Sequence, residues 1–378
     1  MVIDFMRDPH GVSARWRNSA PVQALNTPLG VRVWVISRYE DALAALHDER
    51  LRKSADRLNS LLGLDSPLVS PHMLFSDPPD HTRLRSLVSG VFTARRVAAL
   101  RQRVHEVTAA LLDGLSGVVD IVDALAYPLP ITMICELLGI PDADRVDFRT
   151  WTNALSSSAD SADAAKAMTE YLRSLLAAPG DGLLADLTGE LTGDELIGTA
   201  FLLITGGYET TANLIANGVL ALLTHPDALA ELRADPSLLP RAVTEFLRYD
   251  CPVNLASMRY TAEPVSYAGV EIPADEIVLI GLSSANRDAT RFPAPGTLDL
   301  RRPGTGHLAF GHGAHHCLGA ALARIEGEEA IGQLISRFPG LRLAVDPSEL
   351  TYRFSLLMRS LETLPVSVDP APEHDQLR

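Results

Sequence analysis

The sequence predicts a mainly α fold with small β-sheets, built as one domain over residues 1–378. Three observations predict it. From about residue 80 to 250, apolar residues recur at three- and four-residue spacing, broken by Pro, Gly and Asp, as in consecutive amphipathic helices. Alternating apolar and polar residues, the mark of strands, are confined to short stretches near the N-terminus, after Arg259 and at the C-terminal end. No linker is long enough to separate two independently folding units.

In chain order, a small N-terminal sheet is expected over about residues 20–55, with the strand "VRVWVIS" (31–37) followed by the helix "RYEDALAALHD". Residues about 80–250 form the helical bulk. Within it, "TGDELIGTAFLLITGGYETTAN" (192–213) opens on a capping box, Thr192 with Glu195, and continues as a buried helix. Pro240 starts another helix, on which Glu245 and Arg248 share a face. Strands, an irregular Arg- and Pro-rich stretch and the loop "FGHGAHHCLG" occupy about 255–320. A last helix runs from Cys317 to about Arg337, then a hairpin-like "YRFSLLMRSLETLPVSV" and a frayed tail, about 369–378.

Composition narrows the function. Hydrophobic residues make up 47% and charged ones 21%, which describes an ordinary globular chain. A net charge of -14 argues against non-specific binding to nucleic acid or to an anionic membrane. Only Lys53 and Lys166 are lysines, so the positive charge is almost all arginine. No apolar run reaches the roughly 18 residues of a membrane span, and the N-terminus has no secretory pattern, so a cytoplasmic protein without a membrane anchor is expected. Three cysteines, Cys135, Cys251 and Cys317, point to free thiols.

The loop ending in Cys317 carries the chemistry. Zinc is one reading of His312, His315, His316 and Cys317, but neighbouring residues converge poorly on one tetrahedral ion. A buried thiol beside a glycine turn is a second. The third, a single axial thiolate to haem iron, accounts for the surroundings best. Gly311 and Gly313 let the backbone bend closely around a flat macrocycle, and Gly319 leaves room for its face. A helix start at Cys317 favours the thiolate. In the helix 192–213, Gly206 and Gly207 each cost about 1 kcal/mol against alanine. They make either a close packing contact or a thinned helix beside a ligand, where Glu209 and Thr210 break the hydrogen bonding and admit water.

"FGHGAHHCLG" resembles the haem-binding signature of the cytochrome P450 family, F-G-x-G-x-H-x-C-x-G, through Phe310, Gly311, Gly313, His315, Cys317 and Gly319. "GGYET" is similar to that family's oxygen-binding helix, (A/G)-G-x-(D/E)-T, and "EFLR" to its buried Glu-Arg pair, with Arg302 as third member. The likeness extends over nearly the whole chain and is to the soluble bacterial members; Ala289 and Tyr208 are minor departures.

The resemblance implies a P450 fold with haem b between the central helix and the helix after the Cys317 loop. It implies O2-dependent hydroxylation or epoxidation of a lipophilic small molecule, a bacterial secondary metabolite. NAD(P)H supplies the electrons indirectly, through a separate ferredoxin and ferredoxin reductase. Oxidative coupling or desaturation, a peroxide-driven enzyme and a non-catalytic haem-thiolate sensor are the alternatives. Cys317 would ligate iron, Glu209 and Thr210 would deliver protons, and Gly206 would flank the cofactor. His81, Arg85, Arg259 and His315 would meet the haem propionates, although each alone reads as a surface charge. The substrate pocket would be lined by Leu202, Thr205, Val253, Asn254, Leu255, Ala256, Leu356 and Leu357, under a lid of residues about 56–75. Arg95, Arg96, Arg101 and Arg103 would offer a basic patch to an acidic ferredoxin, and the enzyme would work as a monomer.

Overall fold

The computed structural model describes residues 2–27, 30–63, 72–155, 161–177, 181–303 and 306–369. Helices dominate it, and the longest, Gly193–Leu223, sets the frame. Its 31 residues extend about 46 Å at 1.5 Å per residue. The capping box forms as expected: the Thr192 hydroxyl accepts the Glu195 N–H at 3.4 Å, and the Glu195 carboxylate accepts the Thr192 N–H at 2.9 Å. Helices Pro128–Leu138, Leu239–Tyr249 and Ala320–Arg337 pack around this central helix. Leu214, Ile215, Val243, Phe246, Ile331 and Leu334 are all buried there, and each contributes about 1.5–3 kcal/mol by leaving water.

A five-stranded sheet flanks the helices in the order Val22–Asn26, Arg32–Ile36, Ile277–Ile280, Arg259–Thr261, Leu51–Arg52. Arg32–Ile36 pairs in parallel with Ile277–Ile280, Val33 opposite Ile277, and the other pairings are antiparallel. Successive side chains point to opposite faces. Trp34 and Ile36 therefore join the main core, while Val33 and Val35 join a smaller one with Phe5, Trp16 and Leu58. Burial on both faces explains the continuous apolar run "VRVWVIS". Two short sheets complete the β structure: the hairpin Val265–Tyr267 with Val270–Ile272, and Pro365–Ser367 between Val118–Asp120 and Arg342–Leu343.

Several elements differ from the sequence reading. Two helices, Val2–Arg7 and Pro9–Ser19, precede the first sheet, held by a Phe5–Trp16 stack with centroids 4.9 Å apart. The last helix begins at Ala320, not at Cys317. The C-terminal hairpin is reduced to single bridges, Tyr352 to Leu361 and Val253 to Met358. Of the expected lid, residues 64–71 lie outside the described residues, as does the tail from 370. The described part of the lid includes the helix Ala55–Leu62 and a turn at Met73–Phe75. Among the described residues no helix is long and apolar enough to cross a membrane.

Candidate active site

One backbone bond closes the cysteine loop, from the Cys317 N–H to the Phe310 carbonyl at 2.9 Å. The chain must turn tightly within that closure, and Gly311 (φ +67°) and Gly313 (φ +72°) supply the left-handed backbone. A Cβ on Gly313 would also lie 3.0 Å from the Leu46 carbonyl oxygen. Because the helix starts three residues late, Cys317 Sγ lies ahead of its first turn, where the Gly319 and Ala320 N–H groups reach it. Burial pushes the thiol up; those donors, with Arg85 and Arg324, oppose it without overcoming it. A cation bound to the sulfur would complete the ionisation.

The loop is braced from both sides. Arg85 donates to the His316 carbonyl at 2.6 Å, and the Arg324 guanidinium lies 4.6 Å from the Phe310 ring centroid. The three histidines diverge: His312 packs on His47 at 4.6 Å, His315 on His81 at 4.1 Å and His316 against Phe310 at 6.5 Å between centroids. They do not converge with Cys317, so the zinc arrangement is not formed.

On the central helix, Leu202, Gly206 and Thr210 recur every fourth residue as a stripe open to space, while Ile204, Tyr208 and Ala212 are buried. A Cβ on Gly206 would meet only Leu202, at 3.9 Å. A Cβ on Gly207 would pack 3.4 Å from Ile134. The two glycines therefore divide the alternatives, Gly206 keeping space open and Gly207 making a helix contact. The expected break in the helix does not occur. Thr205, Thr210 and Thr211 each donate to the carbonyl four residues back, at 2.8, 2.8 and 3.1 Å, and the helix runs on.

Glu209 receives a hydrogen bond from the Ser360 hydroxyl at 3.4 Å, and Ser360 accepts one from Asn213 Nδ2 at 2.8 Å. The sequence reading missed both partners. Asn213 was within reach of it, being four residues from Glu209 on one helix face; Ser360 comes from a distant segment with no local signal.

Of the four expected propionate residues, His81 and Arg259 are buried, while Arg85 and His315 are half-buried beside them. His81 Nε2 and Arg259 Nε are buried without a hydrogen-bond partner, and Arg259 Nη1 has only a 3.5 Å contact to the Leu51 carbonyl. Burial lowers Arg259 to about 10. Burial, then Lys53, His81, Arg259 and Arg85, lowers His315 to about 2. Orphaned donors of one sign fit a ligand that brings carboxylates.

Behind the loop, Arg248 grips Glu245 with two 2.7 Å bonds, both side chains nearly fully buried. Arg302 Nε reaches the same carboxylate at 3.2 Å, and the Asp299 N–H at 3.1 Å. Arg248 also donates to the carbonyls of Asn286, Pro295 and Thr297. This network pins the irregular stretch that leads into the cysteine loop.

The expected pocket residues separate. Val253, bridged to Met358, and Ala256, whose N–H donates to the Ile280 carbonyl, are half-buried, and Thr205 is half-buried with its hydroxyl engaged by the helix. Leu255, however, is packed in the smaller core, and buried Asn254 bonds the Leu357 and Met358 carbonyls, so both hold the wall together instead of lining it. Leu356 packs against the same smaller core, and Leu357 is exposed. The arginine patch is largely neutralised: Arg96 pairs with Asp186, Arg101 with Glu328 and Glu329, and Arg103 with Glu136. Arg95 is exposed. A depression of about 480 Å³ between Arg173 and Ile197 touches none of the predicted site residues.

The sequence model described as cytochrome P450 matches residues 157–360. Cytochrome P450 107B1 of Saccharopolyspora erythraea is 49% identical over 387 residues, 96% of this chain and 95% of the relative. The vitamin D(3) 25-hydroxylase of Pseudonocardia autotrophica is 46% identical, over 97% of this chain and 95% of its own. Among solved structures, the tirandamycin C-bound P450 monooxygenase TamI superposes with a TM-score of 0.92 at 43% identity, covering 97% of this chain and 98% of its own. That membership implies haem and O2, with electrons from NAD(P)H through partners, and it replaces the sensor alternative. The thiol loop, the glycine-notched helix and the buried Glu-Arg network thus belong to a monooxygenase, and the chain is a member of the cytochrome P450 family.

Proposed function

We propose that this enzyme hydroxylates or epoxidises a lipophilic bacterial secondary metabolite at a haem held by Cys317, with electrons from a ferredoxin and its reductase. The observation that carries this reading is the pairing of one donor-fed thiol with the buried His81 Nε2 and Arg259 Nε, neither of which has a hydrogen-bond partner. When bound, thiolate-ligated haem supplies O2 binding and favours O–O cleavage. Cys317 Sγ would ligate the iron, and Gly311, Gly313 and Phe310 shape the loop around it. His81, Arg85, Arg259 and His315 would hold the propionates. Gly206 keeps the central helix clear of the cofactor. Thr210 Oγ1, hydrogen-bonded to the Gly206 carbonyl, would hold a proton at the open face of the helix, and Glu209, steadied by the Ser360 hydroxyl, would relay protons from solvent. Loss of one positioned proton donor costs roughly 10²–10⁴ in rate.

Substrate class follows from the lining and from the relatives. Leu202, Val253 and Ala256 offer apolar surface with few polar anchors, and the ligands named for the relatives are vitamin D3 and tirandamycin C. A lipophilic substrate is driven in by apolar burial. The test is a binding screen of polyketides, macrolides and terpenoids, with vitamin D3 and tirandamycin C as probes, followed by turnover with a plant-type ferredoxin and reductase. Altered haem absorption and an oxygenated product support the proposal. Coupled or desaturated products support the alternative chemistry, and haem absorption unaltered by every one of these lipophilic compounds contradicts the substrate class.

A further inference from the structure

Lys53 is nearly fully buried, an unusual place for one of only two lysines among 33 basic residues. The strand Leu51–Arg52 pairs antiparallel with Arg259–Thr261, Leu51 opposite Thr261 and Arg52 opposite Tyr260. Continued by one residue, that register sets Lys53 opposite Arg259, so two buried cations share one face. Like charges at such positions destabilise a sheet. The Lys53 ammonium has a hydroxyl partner, Ser257 Oγ at 2.5 Å, and lies 5.4 Å from the Phe75 ring centroid.

The surroundings sharpen the imbalance. His72, its ring 5.5 Å from that of Phe75, is buried with Nδ1 unpartnered. Burial and Lys53 lower it to about 4. Asp77 is the carboxylate nearby, and it accepts the Lys53 backbone N–H at 3.0 Å. Asp48, which also acts on Arg259, is bound by Arg50. Among the described residues, Asp77 is the carboxylate beside Lys53 and Arg259 that no other cation holds, so the cluster has an excess of cationic groups that the carboxylates of haem would offset. Uncompensated buried charge is strongly destabilising, so such a cluster has a reason only if an anion joins it.

We propose that Lys53 binds a haem propionate beside Arg259, with Ser257 orienting its ammonium and His72 completing the donor set. The assignment rests on the haem reading above. Lys53 is a cofactor-positioning residue that follows the strand Leu51–Arg52 and joins Arg259 on the neighbouring strand, while the other contacts come from a helix and the cysteine loop.

The test uses the purified holoprotein and its Lys53→Met and Ser257→Ala variants. Haem transfer to excess apomyoglobin should be about tenfold faster in Lys53→Met, the factor expected for a lost charged hydrogen bond, and less accelerated in Ser257→Ala. The reduction potential should move to more negative values in Lys53→Met. The haem-free form of that variant should unfold at a higher temperature than haem-free wild type, because the like-charge pair is gone. Wild type and Lys53→Met transferring haem equally fast would overturn the assignment while leaving the haem reading intact. So would a lower haem-free midpoint with unchanged transfer, the outcome of a packing role. Wild type that takes up no haem overturns the cofactor reading and the assignment with it.

Discussion

Thr210 and Cys317 show what a side chain owes to its neighbours. The Thr210 hydroxyl is set by the Gly206 carbonyl at 2.8 Å, and its place on the open stripe follows from fourfold spacing with Leu202 and Gly206. Thr210→Ala removes that hydroxyl at little structural cost. NAD(P)H consumption should continue while hydrogen peroxide replaces organic product as the main outcome, read by peroxide and product assays in parallel; unchanged coupling would contradict the role given to Thr210. Both residues were legible because their motifs are contiguous. Lys53 and Ser360 were not, because each acts through a partner far along the chain, Ser257 in one case and Asn213 in the other. The scarcity of lysine was visible as composition, but its meaning needed the register of the sheet.

At the scale of elements, the helix Leu239–Tyr249 illustrates a network that sequence spacing suggests and packing validates. An E-x-x-R pair is ordinary on a surface, where it contributes about 0.2–1 kcal/mol. Here Glu245 takes bonds from Arg248, Arg302 and the Asp299 N–H, those from Arg248 fully out of water. Glu245→Gln leaves Arg248 charged and buried, which costs about 3–5 kcal/mol. Urea unfolding should show that loss together with reduced haem content; a change below 1 kcal/mol would assign the network to the surface class. The capping box at Thr192 was readable for the same local reason. The start of the last helix was not: the apolar periodicity extends back to Leu318, but the loop closure from Cys317 to Phe310 delays helical geometry until Ala320.

Across the whole molecule, long-range pairing was the least legible feature. Nothing local in "VRVWVIS" reveals its parallel partner Ile277–Ile280 more than 240 residues on, or the union of Val118–Asp120 with Pro365–Ser367. The mainly α class and the site motifs were legible because composition, periodicity and contiguous signatures carry them. Stability of the assembled fold should depend on pH through buried histidines. Burial, with Arg324 and Arg248, pushes His307 down to about 4, and its Nδ1 accepts the Ala309 N–H at 3.2 Å. Burial also lowers His10, against the opposing pull of Asp250. The unfolded chain, titrating near pH 6.5, binds these protons first, so stability is full above that value. It falls as pH drops toward 4, by up to about 1.4 kcal/mol per pH unit for each histidine. Urea midpoints at pH 7.5 and pH 5 should differ in that direction, and His307→Gln should flatten the slope; stability that rises on acidification would contradict the assignment.

The most direct measurement is the visible spectrum of the reduced, CO-bound protein, wild type beside Cys317→Ser. The account predicts a haem-thiolate spectrum in the wild type, with its long-wavelength Soret band, and the loss of that band in the variant. A wild type without haem, or a variant with the same spectrum, would contradict it.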